Sequence, residues 1–269
     1  MPTQQELEAA LQPLLEDPEH AAIFCDIDGT LAPIVEQAEL AQVSLRTSRL
    51  LGTLGRRYAV VACVSGRTAV EARRLVGVGS VDYAGSHGAE VLVSGATEAT
   101  QIPEVEQVTG DVRHFVDELD GSDLRKLRIR LEDKGPIFAF HWRGAPDEDA
   151  AEERLEQLAA AAEAEGLWTH WGRKVLELRP PVALDKGRAV HSVLEGRDVR
   201  TALFAGDDRT DLDGFEALDG LVAEGRLEAA VRVGVASDEG PPEIAEQADL
   251  VVEDVNGFVE VLAVLAGET

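Results

Sequence analysis

The sequence is short of aromatic residues, of cysteine and of basic charge. Aromatics make up 4% of its 269 residues, so any core must rest mainly on aliphatic side chains. Cysteine occurs twice, as Cys25 and Cys63. Each lies inside an apolar run and neither stands in a metal-ligand spacing, so both read as buried free thiols rather than as a disulfide. No apolar run reaches the roughly 20 residues that span a bilayer. The opening "MPTQQELEAALQPLLEDPEH" has neither the basic start nor the apolar centre of a secretory signal. A soluble, cytoplasmic protein, monomeric and without a membrane partner, is expected.

The formal charge is −26, from 51 acidic and 25 basic residues. The charge argues against nucleic acid or anionic membrane as a partner, because both need a basic surface. An anionic small molecule would need local positive charge or a bound cation. Among the basic residues only Lys126, Lys134, Lys174 and Lys186 are lysines. In a chain so biased toward arginine, each compact ammonium is a candidate for a specific role.

What is present is a strong alternation. "AAIFCDI", "VSLRTSRLLGTLGRR", "YAVVACVS", "GRTAVEARRLVG" and "VDYAG" succeed one another as strand, helix, strand, helix and strand. The pattern resumes after residue 180 with "DKGRAVHSVLEG", "TALFAG", "DDRTDLDGFEAL", "AAVRVGVA", "PPEIAEQA" and "DLVVED". Strands alternating with helices predict an α/β fold with a parallel sheet covered on both faces. The middle reads differently. A helix, the strands "LRIRLEDK" and "PIFAFHWRG", the helix "DEDAAEERLEQLAAAAEAEG" and the strands "LWTHW" and "KVLELRP" predict an inserted α+β domain. Prolines at Pro103, Pro180 and Pro181 set its limits. The expected organisation is a discontinuous doubly wound core of residues 1–104 and 180–269 with an inserted domain of 105–179.

The chemistry concentrates where apolar runs end. Asp26 and Asp28 follow "AAIFC" and would lie at the carboxyl end of a central strand, where open α/β sheets bind ligands. Two carboxylates two residues apart point the same way at roughly 6.5–7 Å, so they raise one another's pKa or demand a cation. One could act as nucleophile and the other as general acid and base. A second apolar run, "TALFA", also ends in acids: Asp207, Asp208 and Asp211. Oxygen ligands at this density suit Mg²⁺. Ser65 ends "YAVVACVS", where its hydroxyl and the amides of "GRT" could hold a phosphate oxygen. Lys186 in "LDKG" opens a helix and could neutralise both nucleophile and phosphoryl oxygens.

In that order, "DIDGT", the serine after the second strand, "DKG" and "GDDRTD" resemble the four motifs of haloacid dehalogenase-like phosphotransferases. The resemblance implies a Rossmann-like core, with Asp26 as the nucleophile that forms an aspartyl-phosphate and Asp28 as the general acid and base. It implies Ser65 and Lys186 as further catalytic residues. It also implies Mg²⁺ held by Asp26, the Asp28 backbone carbonyl and Asp207, with Asp208 and Asp211 behind them. "GSHGAE", "EDKGPIFAFHWR" and "GRKVLELRPP" extend the likeness over nearly the whole chain, which is similar to trehalose-6-phosphate phosphatases. In that family an inserted cap reads the sugar, here through Glu132, Lys134 and Glu177, with Arg67 and His87 on the core side. Carboxylates accept hydrogen bonds from vicinal hydroxyls and an ammonium donates to the same ring. Leu212 departs from the pattern, standing where an acidic residue is more usual.

The expected activity is therefore Mg²⁺-dependent hydrolysis of trehalose 6-phosphate, a small-molecule sugar phosphate. Another glycosyl phosphate, such as sucrose 6-phosphate or a glycosyl-3-phosphoglycerate, is the near alternative. A receiver-like switch would need neither Asp28 nor the insertion, and a silent sugar-phosphate sensor would have lost one of the charged positions. Trp142, Trp168 and Trp171 are expected in the core of the inserted domain rather than on sugar faces. His141 and Arg143 are expected to support its site.

Overall fold

The structure is a computed structural model that describes residues 2–35, 40–237 and 240–268, apart from the side chains of residues 104 and 107. The chain runs α1 (Gln4–Glu16), β1 (Ala21–Asp26), α2 (Leu45–Arg57), β2 (Val60–Val64), α3 (Ala69–Val76), β3 (Asp82–Gly85), β4 (Glu90–Leu92) and β5 (Thr100–Gln101). Then come α4 (Pro103–Asp117), α5 (Ser122–Lys126), β6 (Arg130–Asp133), β7 (Phe138–His141), α6 (Glu148–Ala164), β8 (Trp168–Gly172) and β9 (Val175–Arg179). It closes with α7 (Lys186–Leu194), β10 (Thr201–Gly206), α8 (Leu212–Ala223), β11 (Ala229–Val235), α9 (Pro242–Gln247), β12 (Leu250–Val252) and α10 (Val255–Ala266). Two compact units result, one of residues 1–100 and 184–269, the other of 101–183. The breaks fall at 100/101 and 183/184, a few residues outside the expected 104/105 and 179/180.

The first unit is built on a sheet ordered β12-β11-β10-β1-β2-β3-β4-β5. From β12 to β3 every pairing is parallel, and β4 returns antiparallel on β3. The short antiparallel β4 was not legible as a strand, because three residues carry too little period to read. Successive connections move outward from β1 in one direction and from β10 in the other, so the strand order reverses between them. That is where doubly wound sheets leave a crevice at the strands' carboxyl ends.

Alternation along β1 divides the core. Ile23 and Cys25 join one aliphatic layer with α1, α2, α3 and α10, while Ala22 and Phe24 join another with α7, α8 and α9. All six residues of β1 are buried, which explains its unbroken apolar spelling. Cys25 and Cys63 are buried free thiols. By the same parity Asp26 emerges on the side of α7 and α8.

The second unit is a four-stranded antiparallel sheet, β6-β7-β9-β8, with α4, α5 and α6. Phe138, Phe140, Leu176 and Leu178 point to one side and pack with Val112, Phe115, Leu155, Leu158 and Ala162 of the helices. α6 starts on an Asp147 cap, whose side chain accepts from Ala150 N–H at 3.0 Å. Its alanines at 151, 159 and 162 let it lie close to the sheet. Trp142 is core, as expected, but Trp168 and Trp171 are 49% and 41% exposed. The residue type signalled burial, and the position on an outer strand overrode it.

Candidate active site

Two neighbouring strands deliver the acids. Asp26 is the last residue of β1, and Asp207 follows the last residue of β10, its parallel neighbour. Asp26 is 4% exposed, Asp207 2% and Asp211 0%, and one carboxylate oxygen of each lies within 4.8 Å of the others. Lys186, the first residue of α7, donates from Nζ to Asp26 Oδ1 and to Asp211 Oδ1, both at 2.6 Å. Burial by itself would lower the Lys186 pKa, but the Asp211 and Asp26 carboxylates outweigh it and hold the ammonium charged, above its usual value. Burial, reinforced by the charges of Asp211 and Asp208, pushes Asp207 up to about 7.

The approach of the loops that follow β1 and β10 depends on Gly29. Its φ of +101° is one that glycine alone adopts readily, and a Cβ there would stand 2.1 Å from Asp207 Oδ2. Thr30 Oγ1 donates to Asp207 Oδ1 at 3.3 Å. Asp211 Oδ2 accepts the backbone N–H groups of Asp207 and Asp208, each at 3.1 Å, and so fixes the loop after β10. Asp208 itself is exposed, and its Oδ1 accepts Thr210 N–H at 2.6 Å and Thr210 Oγ–H at 2.7 Å. Of the two acids expected behind the metal ligands, Asp211 is therefore packed into the cluster and Asp208 is spent capping a turn.

Asp28 is gripped by Arg67. The guanidinium donates from Nε to Oδ2 and from Nη2 to Oδ1, both at 2.7 Å, a two-bond fork of the kind that also binds phosphate. The loop that carries Arg67 is tied to the loop after β3. Ser86 N–H donates to Arg67 O at 2.8 Å, His87 N–H to Ser65 O at 3.1 Å, and Arg67 N–H to Ser65 Oγ at 3.1 Å. Ser65 is 1% exposed. Ser86 and His87 have φ of 50° and 55°, rare for residues with side chains. The His87 ring lies over Gly66, where a Cβ would meet it at 2.8 Å.

Glu90 had no role in the sequence reading, although it ends the "GSHGAE" stretch. Its carboxylate accepts Ala69 N–H, at the start of α3, at 2.8 Å, which links the two loops from behind. Burial raises its pKa, against the Ala69 and Ser86 hydrogen bonds.

In the second unit the register places Glu132, His141, Glu177, Arg179, His170 and Trp168 on the sheet face away from Phe138 and Phe140. Glu132 Oε2 and His141 Nε2 lie 2.6 Å apart. Lys134 Nζ donates to Glu177 Oε1 at 3.1 Å, and Arg179 donates to Glu177 Oε2 from Nε at 3.0 Å and Nη2 at 2.5 Å. Glu177, 6% exposed, thus sits between two cations. Lys134 and Glu177 meet, while Glu132 pairs with His141. Arg143 turns elsewhere, donating to Arg173 O at 3.2 Å. Arg179, the last residue of the expected inserted domain, is a site residue that the sequence analysis does not single out; its place on alternate positions with Glu177 is the available signal.

The residues fit a divalent cation by charge as well as by donor type. Three buried carboxylates face one ammonium in the Asp26, Asp207, Asp211 and Lys186 cluster, leaving negative charge that burial makes costly without a further cation. All the acidic donors are oxygens, which suits a hard ion.

Comparison with known proteins gives a concordant result. The trehalose-phosphatase family profile matches residues 24–254. The trehalose-phosphate phosphatase of Mycolicibacterium paratuberculosis is 34% identical over 221 residues, 77% of this chain and 53% of the relative. The chain thus spans about half the length of the curated relatives it matches. A crystal structure of a trehalose-6-phosphate phosphatase related protein superposes with a TM-score of 0.68 at 25% identity, covering 91% of this chain and 97% of that one. The C-terminal domain of the C. albicans trehalose-6-phosphate phosphatase shares the fold, with a TM-score of 0.70 at 21% identity over 98% of both chains. With the profile running from the middle of β1 to the residue before α10, the chain belongs to the trehalose-phosphatase family.

Proposed function

We propose that this protein hydrolyses trehalose 6-phosphate to trehalose and phosphate through an aspartyl-phosphate at Asp26. The observation that carries this reading is Asp26 at the reversal of strand order, bonded to Lys186 and beside Asp207 and Asp211. Membership of the family supports the choice of substrate.

Asp26 attacks phosphorus, the bond from phosphorus to the sugar oxygen breaks, and Asp28 gives that oxygen its proton. Asp28 then takes a proton from the water that attacks the acyl phosphate, which releases phosphate and restores Asp26. Lys186 stays charged beside the nucleophile and steadies both Asp26 and the transferring oxygens. Ser65 and the amides that follow it hold a phosphoryl oxygen, and the Arg67 fork is shared between Asp28 and the incoming phosphate. Asp26, Asp207 and the Asp28 carbonyl would hold Mg²⁺, with Asp211 buttressing the loop. When bound, the ion supplies charge neutralisation for the phosphoryl oxygens. Glu132, Lys134 and Glu177 are the residues that read sugar hydroxyls, and His87 is a further substrate-binding residue.

The test is phosphate release from a panel of glycosyl phosphates with Mg²⁺ and with EDTA. A preference for trehalose 6-phosphate of about a hundredfold in kcat/KM, near 2.7 kcal/mol, and loss of activity in EDTA are expected. Preference for sucrose 6-phosphate or a glycosyl-3-phosphoglycerate would leave the Asp26 chemistry standing and remove the sugar assignment.

A further inference from the structure

On the helix side of its sheet, the second unit holds a cavity of about 530 Å³ between α6 and the turn that joins β8 to β9. Glu152, Glu156 and Glu163 line it from α6, since positions four and seven apart fall on one stripe of a helix. Ala159 and Ala160 lie on the same wall, and their short side chains leave the space open. Trp171 lines the opposite wall and is 41% exposed, while Trp142, at 2%, lies deepest. The two indoles meet at 83° with 5.8 Å between ring centres, so they form a corner rather than a stack.

Charge and hydrogen bonding are both incomplete at this cavity. Lys174 on its wall is neutralised by Glu148, whose Oε2 accepts from Nζ at 2.9 Å. That leaves three carboxylates against the guanidinium of Arg173. Glu163 also accepts the Thr169 hydroxyl, which ties α6 to β8. Trp142 Nε1–H is buried without a hydrogen-bond partner among the described residues, and a buried donor left so is costly. Trp171 stands opposite Leu176, on the side of the sheet that packs with the helices. The face that carries Glu132 and Glu177 is the other one, so these groups have no part in the reaction proposed above.

We infer that this cavity is a binding site for a small organic cation, an alkylammonium that also carries a hydrogen-bond acceptor. The cationic nitrogen sits against the Trp171 ring, whose quadrupole attracts the charge while its apolar surface receives the alkyl groups. Glu152, Glu156 and Glu163 supply the counter-charge. The acceptor meets the Trp142 N–H and completes its hydrogen bonding. A hydrated inorganic cation would gain from the carboxylates and nothing from the indoles, and an anion would be repelled. The site is complete within the second unit and stands independently of the phosphatase reading.

The test is isothermal titration calorimetry with choline chloride, beside KCl at equal ionic strength and the uncharged isostere that has carbon in place of the quaternary nitrogen. Saturable choline binding with a Kd of about 1 mM is expected, with the isostere at least about tenfold weaker. Trp171→Leu, which keeps apolar bulk at an exposed strand position, should weaken choline about tenfold. Glu152→Gln combined with Glu156→Gln, both on the surface of α6, should weaken it about fivefold. In Trp168→Phe both remaining indoles line the cavity, and choline should shift their fluorescence with the wild-type Kd. If the melting curve shows that leucine disturbs the strand, Trp171→Phe takes its place, with an expected loss of about threefold. No saturable binding of choline, equal binding of the isostere or of K⁺, or wild-type affinity in the Trp171 variant overturns the site.

Discussion

The two units hold their charged groups in opposite ways. In the first, Asp26, Asp207, Asp211 and Lys186 are each at most 4% exposed and are fixed by strand ends, a helix start and backbone N–H groups. In the second, the charged residues stand on one face of an antiparallel sheet and are held by one another, Glu132 by His141 and Glu177 by Lys134 and Arg179. A buried cluster tolerates no vacancy, because removing one partner strands another charge in low dielectric. On the second unit's sheet face Glu132 and His141 are more open to solvent and can be exchanged at less cost to folding, whereas Glu177, between Lys134 and Arg179, is held nearly as closely as the buried cluster. On the proposed reading, the chemistry falls to the buried cluster and the recognition to the sheet face.

The largest expected effect breaks the buried cluster. Asp26→Asn should reduce phosphate release by at least about 10⁴-fold with the fold retained, checked by steady-state rates beside a circular dichroism melt; residual turnover near wild type would remove Asp26 as nucleophile. Lys186→Met should cost about 3–5 kcal/mol of stability, because Asp26 and Asp211 then lose their shared ammonium, read from urea unfolding. Gly29→Ala, which drives a methyl group into the Asp207 carboxylate, should lower activity by about a hundredfold, and the same assay reports it.

Effects on the second unit should be smaller and confined to binding. Glu177→Ala should raise KM for the sugar phosphate about tenfold or more and leave hydrolysis of a small aryl phosphate nearly unchanged, which parallel kinetics on the two substrates would show. The smallest effect concerns Glu90. Its folded-state pKa is raised above the ordinary 4.5, chiefly by burial, so its contribution to stability is full below 4.5 and is lost as pH rises through the folded value. Glu90→Gln should therefore gain relative to wild type as pH rises through that window, and melting temperatures across pH 4–8 would show the difference widening. A constant difference would mean that Glu90 acts only through its hydrogen bond to Ala69.

Much of this was legible in particular stretches. "AAIFCDIDGT" and "TALFAGDD" show buried strands ending in acids because a strand covered on both faces must be apolar until it reaches its end. The alternation of "FAFHW" and "VLELR" shows two-sided strands with one polar face. Arg67 on Asp28 was not legible, since both are charged residues on loops 39 positions apart with nothing periodic to connect them. Glu90 on Ala69 was hidden because a carboxylate accepting a backbone N–H 21 positions away leaves no mark on the sequence. The exposure of Trp168 and Trp171 ran against composition, because burial of an aromatic depends on which strand forms the sheet's outer edge.

The alternation of elements, the change of pattern in the middle of the chain and the residues that end the strands follow from period and polarity, which are local properties of a chain. Packing settles which acids share Lys186, which cation grips Asp28, and which tryptophan faces the glutamates. Those depend on strand order and register, and both are set by how distant segments pack.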